Sequence, residues 1–452
     1  MGRLFGTDGV RGVANKDLLP ELAFRLGRAA AKVLVADSRS GRSEVGRILV
    51  GRDTRVSGEM LEAALVAGVT SAGVNVELLE VIPTPGVAYL TRKYQADAGI
   101  MISASHNPVA DNGIKFFDHN GFKLTDELEE EIESFLEGEK ASQISRPIGL
   151  QVGRVTRRAE AVADYSVYLA QTIGERLNGL TVAVDCGFGA TYQVAPQVLE
   201  SLGAKVIPIN NLNDGSRINV DCGSTNPQEL QRVVMAEGAQ VGLAHDGDGD
   251  RVIAVDERGE LIDGDEIIAI CGLRMLAEGR LPGKAVAATV YSNLGLREAF
   301  QKSGGEVVVT ENGDRKVLEA MRERGLALGG EQSGHIIFLE HNTTGDGILS
   351  ALQLLSTMVH SGQPLSVLKK GMRKFPQLLE NVRVARRTGW EENREIKKVI
   401  EAARENLGDN GRIFVRASGT EPLIRIMAEG PDRHMLARLI NDIAEVIRIE
   451  LS

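Results

Sequence analysis

The sequence predicts an α/β protein with three related α/β domains in tandem, followed by a smaller C-terminal α+β domain. Short apolar segments alternate with helix-like segments over about the first 370 residues, an order typical of α/β sheets. The alternation also recurs, since strand-like segments at three places along the chain end in polar loops that precede a helix, which indicates an internal repeat. After about residue 370 the pattern changes to strands typical of an antiparallel sheet.

The first predicted domain opens on a glycine-rich segment, 5–12, which predicts a turn. We predict helices at 20–37 and 58–72, and strands at 47–51, 74–79 and 98–102. Pro83-Thr84-Pro85 predicts the start of a further helix, because proline is accommodated in the first helical turn. The strand at 98–102 stops abruptly in small polar residues and therefore predicts a loop at its carboxyl end.

The second and third predicted domains repeat this arrangement. Strands at 181–184 and 284–290 each end in a polar loop before a helix, and further strand ends lie at 241–245 and 326–329. Because open α/β sheets bind ligands at the carboxyl ends of their strands, these loops are candidate sites. For the last domain we predict strands at 381–384, 412–416 and 423–428, with helices at 390–406 and 432–449. The predicted domains are 1–150, 151–255, 256–368 and 369–452.

Composition excludes several classes of protein. The chain has 452 residues, 43% of them hydrophobic, and a formal net charge of -10, which disfavours a nucleic-acid partner. Its three cysteines form no CxxC pair and are typical of free thiols in a reducing compartment. We find no signal-peptide pattern and no apolar run of about 18 residues or more. The sequence therefore predicts a soluble cytoplasmic protein with no membrane partner.

Ser105 is the first candidate for chemistry. It lies in the loop that follows the strand at 98–102, where a hydroxyl can be presented to a ligand. Pro108 favours an extended Asn107 and prevents a helix from starting at once. A loop serine is more often solvated or hydrogen-bonded to nearby backbone, so Ser105 gains interest only from three other loops.

The segment Asp246-Gly247-Asp248-Gly249-Asp250-Arg251 is a candidate metal site. Three carboxylates separated by glycines can converge on one cation, and oxygen ligands suit Mg²⁺ or Ca²⁺. A calcium EF-hand is disfavoured, because Arg251 stands at the sixth loop position, where glycine is needed, and strand-like segments flank the loop. A solvated acidic turn is the remaining alternative.

Two further loops carry polar groups in dense patterns. In Gly330-Glu331-Gln332-Ser333-Gly334-His335, a carboxylate and a hydroxyl lie two residues apart and are suited to sugar hydroxyls, with a simple polar turn as the alternative. In Arg416-Ala417-Ser418-Gly419-Thr420-Glu421-Pro422, with Arg425 on the next strand, arginines, hydroxyls and amides are suited to a phosphate. The alternative there is a hairpin turn with two surface arginines.

The four loops together, in the order SASHNP, DGDGDR, GEQSGH and RASGTEP, resemble the α-D-phosphohexomutase family over essentially the whole chain. Within that family the bacterial phosphoglucosamine mutases are the most similar branch, on the opening LFGTDGVRG, on DNGIKFF after the serine loop, and on Gln332. The resemblance implies that the four domains meet around a central cleft.

The resemblance also implies an activity and a set of site residues. Ser105 would carry a phosphoryl group and, with Asp246, Asp248 and Asp250, hold one Mg²⁺ per chain. The implied reaction is the interconversion of glucosamine 6-phosphate and glucosamine 1-phosphate through a hexose 1,6-bisphosphate, which also primes the enzyme. The implied catalytic residues are Ser105, His106, Lys115, Arg251 and His335. The implied substrate-binding residues are Thr7, Arg11, Glu331, Ser333, Arg416, Ser418, Gly419, Thr420 and Arg425.

Three alternatives stay open at this point. Departures from the family pattern at 312–316 and 187–189 leave the sugar open, so a phosphoglucomutase or phosphomannomutase is the nearest alternative. A metal-dependent phosphatase and a non-catalytic protein that binds Mg²⁺ or a sugar phosphate are the other two. In each case the expected partner is a small phosphosugar, and the protein is expected to be a monomer or a homodimer.

Overall fold

The computed structural model describes residues 4–6, 8–38, 45–386, 388–408, 411–417 and 422–451. The chain forms two compact units. The first consists of Met1–Tyr291 with Gly305–Gly371, and the second of Ser292–Gly304 with Met372–Ser452. Over the described parts of the chain, none of the helices combines the length and the apolar character needed to cross a bilayer.

Six strands form the first sheet, in the order β1-β5-β4-β2-β3-β6. The strands are β1 (Val10–Val13), β2 (Arg47–Arg52), β3 (Asn75–Val81), β4 (Ala98–Ile102), β5 (Asp111–Phe117) and β6 (Val155–Arg157). The helices are α1 (Pro20–Ser38), α2 (Gly58–Ser71), α3 (Thr84–Lys93), α4 (Asp126–Ser134) and α5 (Gly138–Ser142). Strands β4, β2, β3 and β6 run parallel, whereas β5 runs antiparallel to both β4 and β1. A core of buried aliphatic side chains joins this sheet to α1 and α2, which keeps the strand ends in place.

Five strands form the second sheet, in the order β11-β10-β9-β7-β8. They are β7 (Thr181–Asp185), β8 (Lys205–Ile209), β9 (Val241–His245), β10 (Val252–Asp256) and β11 (Leu261–Ile262). The helices are α6 (Ala161–Ala170), α7 (Val194–Ser201) and α8 (Gln228–Glu237). Strands β9, β7 and β8 run parallel, and β10 is antiparallel to β9.

Four strands form the third sheet, in the order β13-β12-β14-β15. They are β12 (Ala285–Thr289), β13 (Glu306–Thr310), β14 (Leu328–Gly330) and β15 (Ile336–Phe338). The helices of this part of the chain are α9 (Gly264–Ala277), α10 (Leu294–Lys302), α11 (Asp314–Arg324), α12 (Gly347–Ser361) and α13 (Leu365–Leu368). Strands β14, β12 and β13 run parallel, and β15 is antiparallel to β14.

The three sheets repeat one local design. In each, the third parallel strand turns back into an antiparallel neighbour, as β4–β5, β9–β10 and β14–β15. The candidate loops of the first three domains are the connections within these pairs. The tandem repeat of α/β domains is thereby confirmed, together with the polar loops at the carboxyl ends of corresponding strands.

The second unit contains the predicted antiparallel sheet. Its strands are β16 (Gln377–Arg383), β17 (Arg412–Ala417) and β18 (Leu423–Glu429), and β18 lies between the other two. Helices α14 (Arg394–Leu407) and α15 (Arg433–Glu450) pack their apolar faces on this sheet. The smaller C-terminal α+β domain is therefore confirmed.

Two short strands lie beyond the predicted domain boundaries. Strand β6 follows residue 150 but pairs with β3 in the first sheet, and β11 follows residue 255 but pairs with β10 in the second. Both are edge strands of two or three residues, too short to show the period-two pattern that identifies a strand. The first two sheets thus extend past the predicted ends of their domains.

Strands β1 and β5 were also not predicted. The Asp-Asn-Gly opening of β5 is a turn signal, and a buried lysine at position 115 interrupts its apolar pattern.

The segment Ser292–Gly304, predicted within the third domain, packs instead with the second unit. The Asn293 side chain forms two hydrogen bonds of 3.0 Å with the Phe375 backbone, and the Leu294 amide donates to Glu429 at 2.8 Å.

Candidate active site

Loops from the three sheets of the first unit meet at one place. The β4–β5 loop contributes Ser105, the β9–β10 loop contributes 246–251, and the β14–β15 loop contributes 331–335. Ser105 Oγ donates a hydrogen bond to Asp246 Oδ2 at 2.7 Å, although the two residues are 141 positions apart. Arg251 forms a β-bridge with His335. The structure therefore brings three loops together: the β4–β5 loop with Ser105 (the serine loop), the β9–β10 loop with its three aspartates (the acidic loop), and the β14–β15 loop.

Ser105 has a backbone conformation that side chains seldom adopt. Its φ is +53°, in the left-handed region, and only 1% of the residue is exposed. The cost of such a conformation is about 1–3 kcal/mol, so surrounding contacts must maintain it. One of them is the Ser105 amide, which donates to Ser103 Oγ at 2.9 Å.

The three aspartates of the β9–β10 loop form a buried carboxylate cluster. Asp246, Asp248 and Asp250 each offer an oxygen, and these oxygens lie within 4.8 Å of one another. Oδ1 of Asp248 and Oδ1 of Asp250 are buried and have no hydrogen-bond partner among the described residues. Buried carboxylate oxygens are costly unless a cation or a donor faces them. This donor set therefore fits a hard divalent cation, which prefers oxygen ligands.

A chain of charges continues from this cluster, from the buried Asp248 and Lys115 to partly buried groups beyond them. Lys115 Nζ lies 2.7 Å from Asp248 Oδ2, 2.9 Å from Asp8 Oδ2 and 3.5 Å from Asp250 Oδ2. On its far side, Asp8 contacts Lys123, which in turn forms an ion pair with Asp314. Positive and negative groups alternate along this chain, and each neighbour favours the charged form of the next.

The charges shift the pKa values of the cluster in opposite directions. Burial, with Asp250 and Asp248 beside it, raises the pKa of Asp246 well above its usual value. Burial also opposes ionisation of Asp248, but Lys115 outweighs it and lowers the pKa of Asp248. For Lys115, burial acts against the charged form, and the surrounding aspartates, Asp248 first, outweigh it and raise its pKa.

The predicted histidines and Arg251 surround the cluster. His106 Nδ1 lies 3.3 Å from Ser105 Oγ, and burial, reinforced by Arg251, lowers the pKa of His106 to about 4. His335 is buried, and neither of its ring nitrogens has a hydrogen-bond partner among the described residues. Its Nε2 lies 3.6 Å from Asp314 Oδ2 and 3.9 Å from Asp250 Oδ2. Arg251 Nε lies 3.8 Å from Asp250 Oδ1.

The β14–β15 loop presents the predicted sugar-binding pair. Ser333 Oγ donates to Glu331 Oε2 at 3.2 Å, and the Gly313 amide donates to Glu331 Oε1 at 3.2 Å. Gln332, between them, instead donates to Asp263 Oδ2 at 3.3 Å. Asp263 is the N-cap of α9, so the Gln332 side chain fixes the loop to that helix.

The other predicted substrate-binding residues fall into three groups. Arg11 forms an ion pair with Asp8 at the edge of the buried charges. Arg416 and Arg425 are cross-strand partners in the second unit, on β17 and β18. Thr7, Ser418, Gly419 and Thr420 lie outside the described residues.

Several residues of this site were not predicted from the sequence. Asp8, Lys123 and Asp314 complete the chain of charges, and Thr84 Oγ1 donates to Asp248 Oδ2 at 2.5 Å. Asp8 and Asp314 do lie in segments that resemble the family, which was a usable signal. Lys123 and Thr84 gave none, because single polar residues in a connecting segment or at the start of a helix are common.

Four domain families match successive parts of the chain. Their descriptions all begin "Phosphoglucomutase/phosphomannomutase". Alpha/beta/alpha domain I matches 2–143, domain II 163–259, domain III 263–375 and the C-terminal domain 379–446. Together these matches cover most of the chain in the order expected from its sheets.

Curated relatives match over the full length. A phosphoglucosamine mutase of Carboxydothermus hydrogenoformans is 54% identical over 447 residues, which is 99% of each chain. One of Symbiobacterium thermophilum is 55% identical over 452 residues, or 100% of each chain. One of Geobacillus thermodenitrificans is 51% identical over 451 residues, covering 100% of this chain and 99% of the relative.

Solved structures share the fold at lower identity. A phosphoglucomutase/phosphomannomutase family protein from Burkholderia thailandensis matches with a TM-score of 0.80 and 23% identity, covering 98% of this chain and 96% of the other. Aspergillus fumigatus N-acetylphosphoglucosamine mutase, solved in complex with GlcNAc-6P and magnesium, matches with a TM-score of 0.70 and 20% identity. That match covers 99% of this chain and 96% of the other.

Proposed function

Because the chain belongs to the phosphoglucomutase/phosphomannomutase family, we propose that it interconverts glucosamine 6-phosphate and glucosamine 1-phosphate. Membership makes it an isomerase that transfers a phosphoryl group within a hexose phosphate. The amino sugar is supported by relatives at 51–55% identity over the full length that are phosphoglucosamine mutases. The observation that carries the chemistry is the buried Ser105 hydroxyl, 2.7 Å from the carboxylate cluster.

Ser105 is the proposed carrier of the phosphoryl group. In the first step the 1- or 6-hydroxyl of the substrate attacks phosphorus, and the bond between phosphorus and Ser105 Oγ breaks. Ser105 Oγ leaves with the bonding electron pair and takes up a proton, while the attacking hydroxyl gives its proton to a base. The product is a hexose 1,6-bisphosphate, which turns over in the site and returns its other phosphoryl group to Ser105. Such transfer depends on positioning and charge stabilisation.

The aspartate cluster is proposed to hold one Mg²⁺ together with an oxygen of the Ser105 phosphoryl group. A bound Mg²⁺ supplies charge stabilisation for the transferring phosphoryl group. The unpartnered oxygens of Asp248 and Asp250 support this assignment. Carboxylates bind a cation in their ionised form, so the raised pKa of Asp246 would make binding of the cation depend on pH.

The surrounding side chains have complementary proposed roles. Lys115 and Arg251 stay protonated and stabilise negative charge on the phosphoryl oxygens, and the raised pKa values of both groups support this. His335, whose ring nitrogens have no hydrogen-bond partner among the described residues, is a better candidate than Lys115 for accepting the hydroxyl proton. His106, neutral at pH 7 because of its lowered pKa, is placed to hydrogen-bond Ser105 Oγ.

Binding of the substrate is assigned by residue type. Glu331 and Ser333 bind the ring hydroxyls, a role suited to a carboxylate and hydroxyl on one loop. The loop from Arg416 through Ser418, Gly419 and Thr420, with Arg425, binds the phosphate that does not react. Thr7 and Arg11 are assigned to the substrate on the family resemblance. A hexose 1,6-bisphosphate is proposed to prime the enzyme. The proposed location of the protein is the cytoplasm.

A mutase assay with three substrates tests this function. The purified protein is given glucosamine 6-phosphate, glucose 1-phosphate or mannose 1-phosphate, with Mg²⁺ and a catalytic amount of glucose 1,6-bisphosphate. We expect the highest kcat/KM for the amino sugar. Preference for glucose or mannose would retain the site but replace the substrate, and sustained release of inorganic phosphate would indicate a phosphatase.

A further inference from the structure

Arg55 is a wholly buried arginine just after β2, and it contacts the serine loop through its entire head group. Its guanidinium has five N–H donors. Four of them reach backbone carbonyl oxygens: Ser105 at 2.8 Å, Asn107 at 2.8 Å, Pro108 at 2.6 Å and Asp111 at 2.9 Å. The fifth, on Nε, reaches Asp53 Oδ2 at 3.0 Å. Every donor of this side chain therefore has one acceptor.

Asp53 ties the same loop from a second direction. Asp53 Oδ2 accepts a hydrogen bond of 2.6 Å from Ser103 Oγ, which in turn accepts the Ser105 amide. The backbone of Ser105 is thus held at its amide by Ser103, which is bonded to Asp53, and at its carbonyl by Arg55. Both are fully buried, so the contacts are shielded from water and stronger than they would be at the surface.

Asn219 holds the same carbonyl from the second sheet's domain. Its Nδ2 donates to the Ser105 carbonyl at 2.9 Å. The residue itself has a φ of +59°, and its amide donates to the Gly187 carbonyl at 3.0 Å, which fixes its backbone near the acidic loop. The Ser105 carbonyl therefore accepts one hydrogen bond from each of two domains, and these two define its direction.

We propose that Arg55 and Asn219 are positioning residues for phosphoryl transfer, which hold the Ser105 carbonyl from two sides and thereby hold Ser105 Oγ at the aspartate cluster. This inference rests on the proposed function, in which Ser105 carries the phosphoryl group. Neither residue touches the reacting atoms in this arrangement. Both act through the backbone of Ser105.

The left-handed backbone of Ser105 is the reason why these contacts matter. Rotation about the N–Cα bond of Ser105 would relieve the positive φ, and it would move the Ser105 carbonyl and swing Oγ away from Asp246. A phosphoserine at this position carries about -1.5 to -2 charge, so nearby cations would also pull on the loop. Displacement of a reacting group by about 1 Å costs on the order of 100-fold in rate. Fixing the carbonyl prevents that rotation in both the free and the phosphorylated enzyme.

Asn219→Gly is the decisive variant, because glycine accepts the positive φ and only the Nδ2 hydrogen bonds to the carbonyls of Ser105 and Asn107 are lost. The matched control is Asn210→Gly in the same domain, where φ is +50° and the side chain donates to Asp185 and Glu229 and not to the serine loop. Kinetics with glucosamine 6-phosphate, Mg²⁺ and glucose 1,6-bisphosphate are compared with thermal unfolding. We expect Asn219→Gly to lose about 10- to 100-fold in kcat with KM little changed, at a melting temperature near that of Asn210→Gly.

Arg55→Lys extends the test to the other side of the carbonyl. Arg28→Lys is its control, since Arg28 is also buried in the first domain and donates to a carbonyl, that of Ile144, away from the serine loop. A lysine keeps the charge near Asp53 but cannot reach four carbonyls. We expect a greater fall in kcat than for Asn219→Gly. If Arg55→Lys does not fold, Asn219→Gly decides alone.

A single-turnover measurement separates positioning from folding. The Ser105-phosphorylated enzyme is prepared with glucose 1,6-bisphosphate, its occupancy is checked by intact mass, and its phosphoryl transfer to glucosamine 1-phosphate is timed. We expect slower transfer in Asn219→Gly and the control rate in Asn210→Gly. Equal kcat and equal transfer rates in the two variants would overturn the inference. Failure of the proposed function looks different, because the unaltered protein itself would then not turn over the amino sugar.

Discussion

Ser105 shows how much of the site depends on one residue's surroundings. Its hydroxyl is buried, its φ is positive, and its hydrogen-bond acceptor, Asp246, has a raised pKa. A serine with these three properties is neither solvated nor capping a helix, which were the alternatives for a loop serine. At the residue scale, then, the structure favours chemistry at position 105.

Ser105→Ala is expected to abolish turnover and to leave folding nearly unchanged. Loss of the proposed phosphoryl carrier removes the covalent step, so kcat should fall by at least about 1,000-fold. The folded state loses one hydrogen bond, which changes the free energy of unfolding by about 1 kcal/mol. Mutase kinetics and thermal unfolding measure the two effects.

Ser166→Ala provides the control for that change. Ser166 is also buried, and its hydroxyl donates to the Val162 carbonyl within α6 at 2.8 Å. Its activity should match that of the unaltered protein. Activity near the control level in Ser105→Ala would remove Ser105 from the reaction.

At the scale of elements, the site depends on short loops that approach each other closely. The acidic loop runs past the serine loop at Gly247, where an added Cβ would lie 2.6 Å from the Ser105 carbonyl oxygen and 2.8 Å from Asn219 Nδ2. Glycine is needed there for close approach between two backbones, since its φ is not in the left-handed region. The glycines between the aspartates thus serve contact between loops as well as the turn itself.

Gly247→Ala is therefore expected to displace the serine loop and to lower kcat by about 100-fold, as a shift of about 1 Å does. The matched control is Gly174→Ala, where an added Cβ meets nothing within 4 Å. Kinetics of both variants under saturating Mg²⁺ measure the difference. Equal kcat in the two would show that the loops can separate without loss of function.

Removal of divalent cations should affect both stability and activity. The three aspartates of one loop repel each other when ionised, so a bound cation stabilises the folded protein. At a cation concentration of 100 times Kd the gain is about 2.7 kcal/mol. Dialysis against EDTA should lower the melting temperature and stop turnover, and Mg²⁺ should restore both.

Asp250→Asn is the matched variant for the cation experiment, because it removes one of the three proposed ligands. Its melting temperature should respond much less to Mg²⁺ than that of the unaltered protein. An unaltered protein whose melting temperature and activity survive EDTA would contradict the metal assignment.

At the scale of the whole molecule, contacts between domains of the first unit place the three loops. Arg315, at the start of α11, donates to the Leu124 carbonyl at 2.9 Å and forms ion pairs with Asp126 and Glu129 of α4. These contacts join the third domain to the first. The same α11 begins at Asp314, the residue that pairs with Lys123 of the charge chain.

Arg315→Met should lower the free energy of unfolding by about 3 kcal/mol, because the buried Glu129 loses its guanidinium partner. Lys316→Met, one position on, loses an exposed pair with Glu319 and should cost no more than about 0.5 kcal/mol. Chemical denaturation measures both. Equal midpoints for the two variants would show that this contact between domains adds no stability.

The sequence by itself determined the α/β class, the internal repeat, the antiparallel C-terminal sheet and the four loops. These features are local. A buried strand such as β4 can be recognised from five consecutive apolar residues or glycine, and the loop that follows it from the small polar residues directly after the strand. Family resemblance added proposed roles, because the loop motifs are contiguous.

Only the tertiary structure decided which residues support those loops. Arg55 and Asn219 lie 50 and 114 positions from Ser105 and bind its carbonyl group. Every residue carries a backbone carbonyl, so no pattern of side chains along the chain can predict this contact. The ion pairs of the partly buried Asp8 with Lys115 and Lys123 likewise form between separate segments, and the shielding from water that strengthens them exists only after the chain has folded.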